Sequence, residues 1–160
     1  MKIKTVLLAG VLAFSCLLTA CGNKETSTEF ETQLADFTEA VEKLDHKINS
    51  MDVELPDYDE RLLNNLDEVA DVFSGLVELH TDEYEYYDEL AQGADYYMGL
   101  ANEYYHRTFA GDGYHPEWLE TANTYYAKAI QYVRYIGYMM NDYDVSEVAI
   151  PLDQLKEREE

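Results

Sequence analysis

Apolar side chains recur along the chain at alternating gaps of four and three. Phe30, Leu34, Phe37, Val41, Leu44, Ile48 and Met51 form one such series, the heptad spacing that keeps a stripe on one side of an α-helix. Ser27 or Thr28 caps its start, and the stretch from Asp52 to Pro56 ends it, because a residue before proline avoids the helical region. Leu62, Leu66, Val69, Phe73 and Leu76 continue the spacing in a second helix, flanked by Leu63, Val72 and Val77 and capped by Asp57. That helix stops near His80, where Thr81 and Asp82 offer a fresh cap and Glu85 closes a capping box on Asp82. No glycine or proline marks the boundary, so a helix continuous through His80 is the alternative.

The third series is built from tyrosine. Between His80 and Phe109 there are seven tyrosines and no basic side chain before Arg107. Tyr87, Leu90, Ala94, Tyr97, Ala101 and Tyr104 form the stripe. At about 100° per residue, Tyr86 falls on it and Tyr105 at its edge. Glu85, Asp88, Glu89, Asp95 and Glu103 fall opposite, and Tyr96 and Tyr84 project away. "GDGYHPEW" then breaks the chain, with Pro116 at the start of a fourth helix, where proline is tolerated. Its stripe is Trp118, Ala122, Tyr125, Ala129, Tyr132, Ile136 and Met139. Tyr126, Ile130, Val133, Gly137 and Met140 lie one residue on, and the two together make a face wide enough for two neighbours. Four amphipathic helices with short connections predict an all-α, up-and-down four-helix bundle over residues 29–143. Alanines opposite tyrosines suit the third and fourth helices as a close hairpin. Residues 144–160 read as an acidic, loosely ordered tail.

The chain before the bundle has a different character. Lys2 and Lys4 precede an apolar run from Thr5 to Leu18, too short for a span of about 20 residues and suited to a secretory signal peptide. Leu18-Thr19-Ala20-Cys21 resembles a bacterial lipobox. That resemblance implies cleavage between Ala20 and Cys21, removal of residues 1–20, and a lipid on the Cys21 thiol, with palmitate as one of the chains. Each buried acyl CH₂ contributes about 0.8 kcal/mol, so two chains anchor stably where one does not. Residues 21–28 become a short tether, and the expected location is the extracytoplasmic face of the cell membrane. Cys16 leaves with the leader and Cys21 is blocked, which leaves no thiol for a disulfide, a nucleophile or a metal.

Charge narrows the partners. The chain carries 11 basic and 33 acidic side chains, a net −22. Losing Lys2 and Lys4 with the leader leaves nine basic groups and a net −24. Nucleic acid is excluded, because phosphate binding needs clustered Lys and Arg. Such a surface favours a cationic partner or another envelope protein, set against the plainer reading of a solvated, self-repelling face.

Candidate chemistry is sparse. Glu103-x-x-His106 has the spacing of di-iron bundle proteins, but those need a second such pair and none occurs. Glu103 and His106 also fall on the polar side of their helix. Asp112 and His115 make at most two ligands in a loop. No nucleophile elbow or phosphate-binding loop is present. No catalytic residue, metal site or cofactor is therefore expected. "ANTYYAKAIQYV" has the local look of one tetratricopeptide helix, but nothing repeats it at the period of 34 that an array shows. The lipobox, the Phe/Leu heptads, "LLNNLDEV", "EYYHRTFAGDGYHPE" and "YYAKAIQYVRYI" together resemble a group of small helical lipoproteins of low-GC Gram-positive gut bacteria. The resemblance covers most of the mature chain and implies no activity. The expectation is a non-enzymatic interaction or binding module held at the membrane. The rival is a receptor for a small ligand or cell-wall fragment, with Tyr135 and Tyr138 as stacking platforms flanking Arg134.

Overall fold

The computed structural model describes residues 29–79, 81, 84, 86–110 and 115–140. The expectations for the leader, the Ala20–Cys21 cleavage, the tether, the Ser27 and Thr28 caps, the Asp82–Glu85 capping box, Asp112 and the acidic tail lie outside these residues. Within them the heptads become four helices: α1 (Glu29–Asn49), α2 (Tyr58–Glu78), α3 (Tyr87–Phe109) and α4 (Pro116–Met140). Each packs chiefly on its sequence neighbours, α3 on α4 most closely. This is the expected all-α four-helix bundle.

The α1 stripe is buried from Phe30 to Ile48. Met51 follows the helix and is half-buried, its Sδ accepting a bond from Asn65 Nδ2 at 3.1 Å. Two successive turns carry the chain onward, with Leu55 N–H bonded to the Asp52 carbonyl and Tyr58 N–H to the Leu55 carbonyl, both at 3.2 Å. Asp57 does precede α2, but its side chain makes no capping bond. Its carboxylate instead accepts from Arg61 Nε at 2.7 Å, one turn on. The α2 stripe from Leu62 to Leu76 is buried, Leu63 with it, while Val72 and Val77 are half-buried. Phe37 and Phe73 meet edge to face across α1 and α2 at 5.4 Å between centroids.

The chain does break near His80. The α2 helix stops at Glu78, Leu79 is extended (ψ 130°), and α3 begins only at Tyr87 after Tyr86, with no side-chain cap. Thr81 therefore lies well before the α3 cap rather than in it. The Tyr87 hydroxyl closes the break by donating to the Leu76 carbonyl at 2.8 Å, and its ring meets Phe30 edge to face at 4.8 Å.

Two tyrosines exchange the places expected from helical phase. Tyr105 is fully buried and Tyr86 is 51 % exposed. Tyr86 sits at the cap position, outside the helical turn that the phase assumes. Tyr105 stands two turns and more beyond Tyr97, on the side of α3 that faces the bundle.

Both stripes of α4 are buried over its middle, Ala122, Tyr126, Ala129, Ile130, Tyr132, Val133, Ile136 and Gly137 among them. Trp118, Tyr125, Met139 and Met140 are half-buried at its flank and ends. From Ala129 to Gly137 every residue except Arg134 is buried. A helix that is mostly apolar on all sides is enclosed on most of them, and this half of α4 buries even Gln131.

Candidate functional site

The α3–α4 hairpin is zipped by tyrosines contributed alternately by the two helices. Tyr132 of α4 stacks on Tyr97 of α3 at 5.7 Å, Tyr97 on Tyr125 of α4 at 6.0 Å, and Tyr125 meets Tyr104 of α3 at 5.7 Å. Aromatic pairs at such separations add about 0.5–1.5 kcal/mol each beyond burial. Gly93 makes room for the inner end of this ladder. A Cβ there would lie 2.2 Å from the Tyr132 ring.

The ladder opens outward. Tyr97 and Tyr132 are buried, while Tyr104 and Tyr125 are half-buried. Tyr96 sets its ring edge-on to Tyr97 at 5.1 Å and is 41 % exposed. Two cations stand on the rings: Arg107 lies 4.8 Å from the Tyr104 centroid and Lys128 lies 5.1 Å from that of Tyr97. Arg107 also pairs with Glu103. At about 100° per residue, Tyr96, Leu100, Glu103 and Arg107 share the outer side of α3. From Leu62 to Met140 the only basic residues are Arg107, Lys128 and Arg134, so two of three serve this one face. An open groove of about 530 Å³ runs beside it along α4, bounded by Leu119, Asn123, Thr124, Ala127 and Lys128.

The residues singled out by sequence are placed differently. Tyr135 is not a surface platform: it is 2 % exposed, because it belongs to the part of α4 in which every residue but Arg134 is buried. Tyr138 and Arg134 are half-buried, and Tyr138 packs against the core. The three do not form the open stacking site that was expected. Glu103 and His106 do not converge either. Glu103 turns to Arg107, whereas His106 reaches back to α2, its Nε2 2.7 Å from Asp67 Oδ1. Asn102 donates to the same oxygen at 2.7 Å. Burial would raise the Asp67 carboxyl, but the bonds from Asn102 and His106 outweigh it and hold it below the usual carboxylate value. His115 is occupied by Glu117 at 3.0 Å and by the Trp118 ring at 3.9 Å between centroids. Among the described residues no group of three His, Cys, Asp or Glu is placed to hold a metal ion.

Sequence reasoning missed three contributors: Gly93, Asn123 and Asp45. Asn123 Oδ1 accepts from the Tyr105 hydroxyl at 2.9 Å and ties α3 to α4 inside the groove wall. Asp45 is buried in α1, accepting from Asn49 Nδ2 at 2.8 Å. Comparison with protein-family models, curated proteins and solved structures finds no match to this chain.

Proposed function

We propose that the protein is a lipid-anchored, extracytoplasmic and non-enzymatic binding module that meets a protein partner through the outer face of the α3–α4 hairpin. The observation that carries this reading is the tyrosine ladder that opens outward, with Arg107 on the Tyr104 ring, Lys128 on the Tyr97 ring and the exposed Tyr96 ring set against Tyr97. Tyr86 and Tyr96 are two of the three large apolar side chains exposed among the described residues, the third being Leu55. Tyr96 stands on α3 against Tyr97, the ring that carries Lys128, and Tyr86 stands at the N-terminal cap of the same helix. Tyrosine and arginine dominate the energetics of protein interfaces, because they bring large rigid contact area with a polar tip. Here the rings are already ordered by stacking, so docking costs little further side-chain entropy.

The anchor rests on Cys21 and the lipobox around it. The Lys/Leu pattern of the leader and the short tether support a bundle held close to the membrane surface, where an envelope protein is the natural partner. Net charge keeps nucleic acid and anionic head groups away.

Two experiments test the halves separately. Cys21→Ala is expected to move the protein from the membrane fraction to the soluble fraction, and full membrane retention overturns the anchor. Tyr86→Ala with Tyr96→Ala is expected to abolish photocrosslinks formed from the α3–α4 face to envelope proteins in intact cells, with α-helical circular dichroism unchanged. Crosslinks that persist in the double variant overturn the binding face.

A further inference from the structure

We propose that the outer side of α4, over its C-terminal half, is the seat of the chain's own C-terminal segment, filled by Val148, Ile150 and Leu152. One stripe of α4 carries the observation. Glu120, Thr124, Ala127, Gln131, Tyr135 and Tyr138 recur at gaps of four and three, which keeps them on one side of the helix. The first three are exposed and border the open groove. The next two are not: Gln131 is 7 % and Tyr135 is 2 % exposed, and Tyr138 is half-buried. One side of one helix thus changes from open to covered within a single turn.

The described helices do not account for the cover. Among them only α3 packs closely along α4, and it meets the side of Tyr125 and Tyr132, whose rings stack on Tyr97. At about 100° per residue, that side lies roughly 100° round from Gln131. The connection from α2 to α3 reaches the same end of the hairpin but turns the other way. Its Tyr84 ring meets Phe30 of α1 at 5.9 Å, and the Tyr87 ring meets it at 4.8 Å.

Residues 141–160 begin where α4 ends. In them Val148, Ile150 and Leu152 alternate with Ala149 and Pro151. A residue before proline favours an extended conformation, and alternation in an extended run puts the three large side chains on one side. At about 3.3 Å per residue, Val148 to Leu152 covers about 13 Å. From Gln131 to Met140 the helix rises about 14 Å at 1.5 Å per residue, so the run matches the seat. Residues 141–147 supply the reversal. Charge agrees. Arg134 is the one basic residue of α4 beyond Lys128 and is half-buried beside the stripe, and Asp142, Asp144 and Glu147 precede the apolar run. The segment that reads as a loose acidic tail is in this account a strap, and the groove begins where the strap's seat ends.

A photocrosslinker on the seat tests the assignment. With p-benzoylphenylalanine in place of Tyr138 in the full chain, irradiation is expected to join position 138 to residues 144–155 of the same molecule, as read by peptide mass spectrometry. A crosslink to residues 1–28, to the described helices alone or to a second molecule overturns the strap. A second measurement leaves Tyr138 in place. Ile150→Asp with Leu152→Asp is expected to remove hydrogen-exchange protection from the amides of residues 131–140, while those of α1 and α2 keep theirs. Unchanged protection over residues 131–140, or an equal loss in all four helices, overturns it as well.

Discussion

Gly93 and Gly99 are both glycines inside α3, yet they answer to different forces. Nothing lies within 4 Å of a Cβ built at Gly99, or at Gly75 in α2. At those positions alanine only removes the entropic cost of glycine in a helix, about 0.5–1 kcal/mol. At Gly93 the same methyl meets the buried ring of Tyr132, which is also stacked on Tyr97. Overpacking of that kind costs about 1–3 kcal/mol, which exceeds the helical gain. Gly75→Ala and Gly99→Ala are therefore expected to raise the urea midpoint and Gly93→Ala to lower it. The ladder gives a second contrast between neighbours. Tyr97→Ala removes a buried ring and is expected to cost about 3–5 kcal/mol, while Tyr96→Ala, on the outer side, costs about 0.5 kcal/mol or less. Equal losses at the two positions in urea titration would mean that the hairpin is not held by this ladder.

At the level of helices, how much was legible depended on whether a position answers to its own helix or to another. The α1 and α2 stripes could be read directly, because Phe30 to Ile48 and Leu62 to Leu76 repeat one spacing on a single face. The alanines of α3 and α4 likewise marked the close hairpin. Tyr86 could not be placed by phase, since it lies where the helix has not yet begun. Tyr135 was read as outward because it lies off the main stripe and beside Arg134, although every residue of "AIQYVRYIG" except Arg134 is buried, Gln131 included. Gly93 was invisible because its necessity comes from a ring on the next helix, and Asp45 because an acid beside a heptad stripe usually meets water. The same dependence on a neighbour governs the Asp67–Asn102–His106 latch between α2 and α3. The Asp67 carboxyl is held below its ordinary value, so its support is complete above about pH 4 and is lost as pH falls below that. Asp67→Asn is expected to flatten this part of the stability–pH curve. An unchanged curve between pH 5 and pH 2 would leave the latch without energetic weight.

For the molecule as a whole, charge and phenols set the response to solvent. A chain of net −22 repels itself, and the repulsion is screened over about 30 Å at 0.01 M salt and 3 Å at 1 M. The thermal midpoint is expected to rise with sodium chloride over that range; a fall would show that its few ion pairs outweigh the excess acid. Alkali acts on the interior. Burial holds the phenols of Tyr87, Tyr105 and Tyr126 above their ordinary value near 10. Their neutral form supports the fold, and that support is lost as pH rises toward the folded values. Part of the phenolate absorbance is thus expected to appear only together with loss of helical circular dichroism. No helix among the described residues is long and apolar enough to cross a membrane.

The preference of each helix for its sequence neighbours also has a bearing on time. Contacts between adjacent segments close short loops, and chains dominated by them fold fast. The closest pair, α3 with α4, is made last as the polypeptide is synthesised from its N-terminus. A nascent chain that ends before Tyr125 and Tyr132 has no ladder to form. The tightest packing of the unfinished chain therefore waits until its second half arrives, a property that suits the export proposed for this protein.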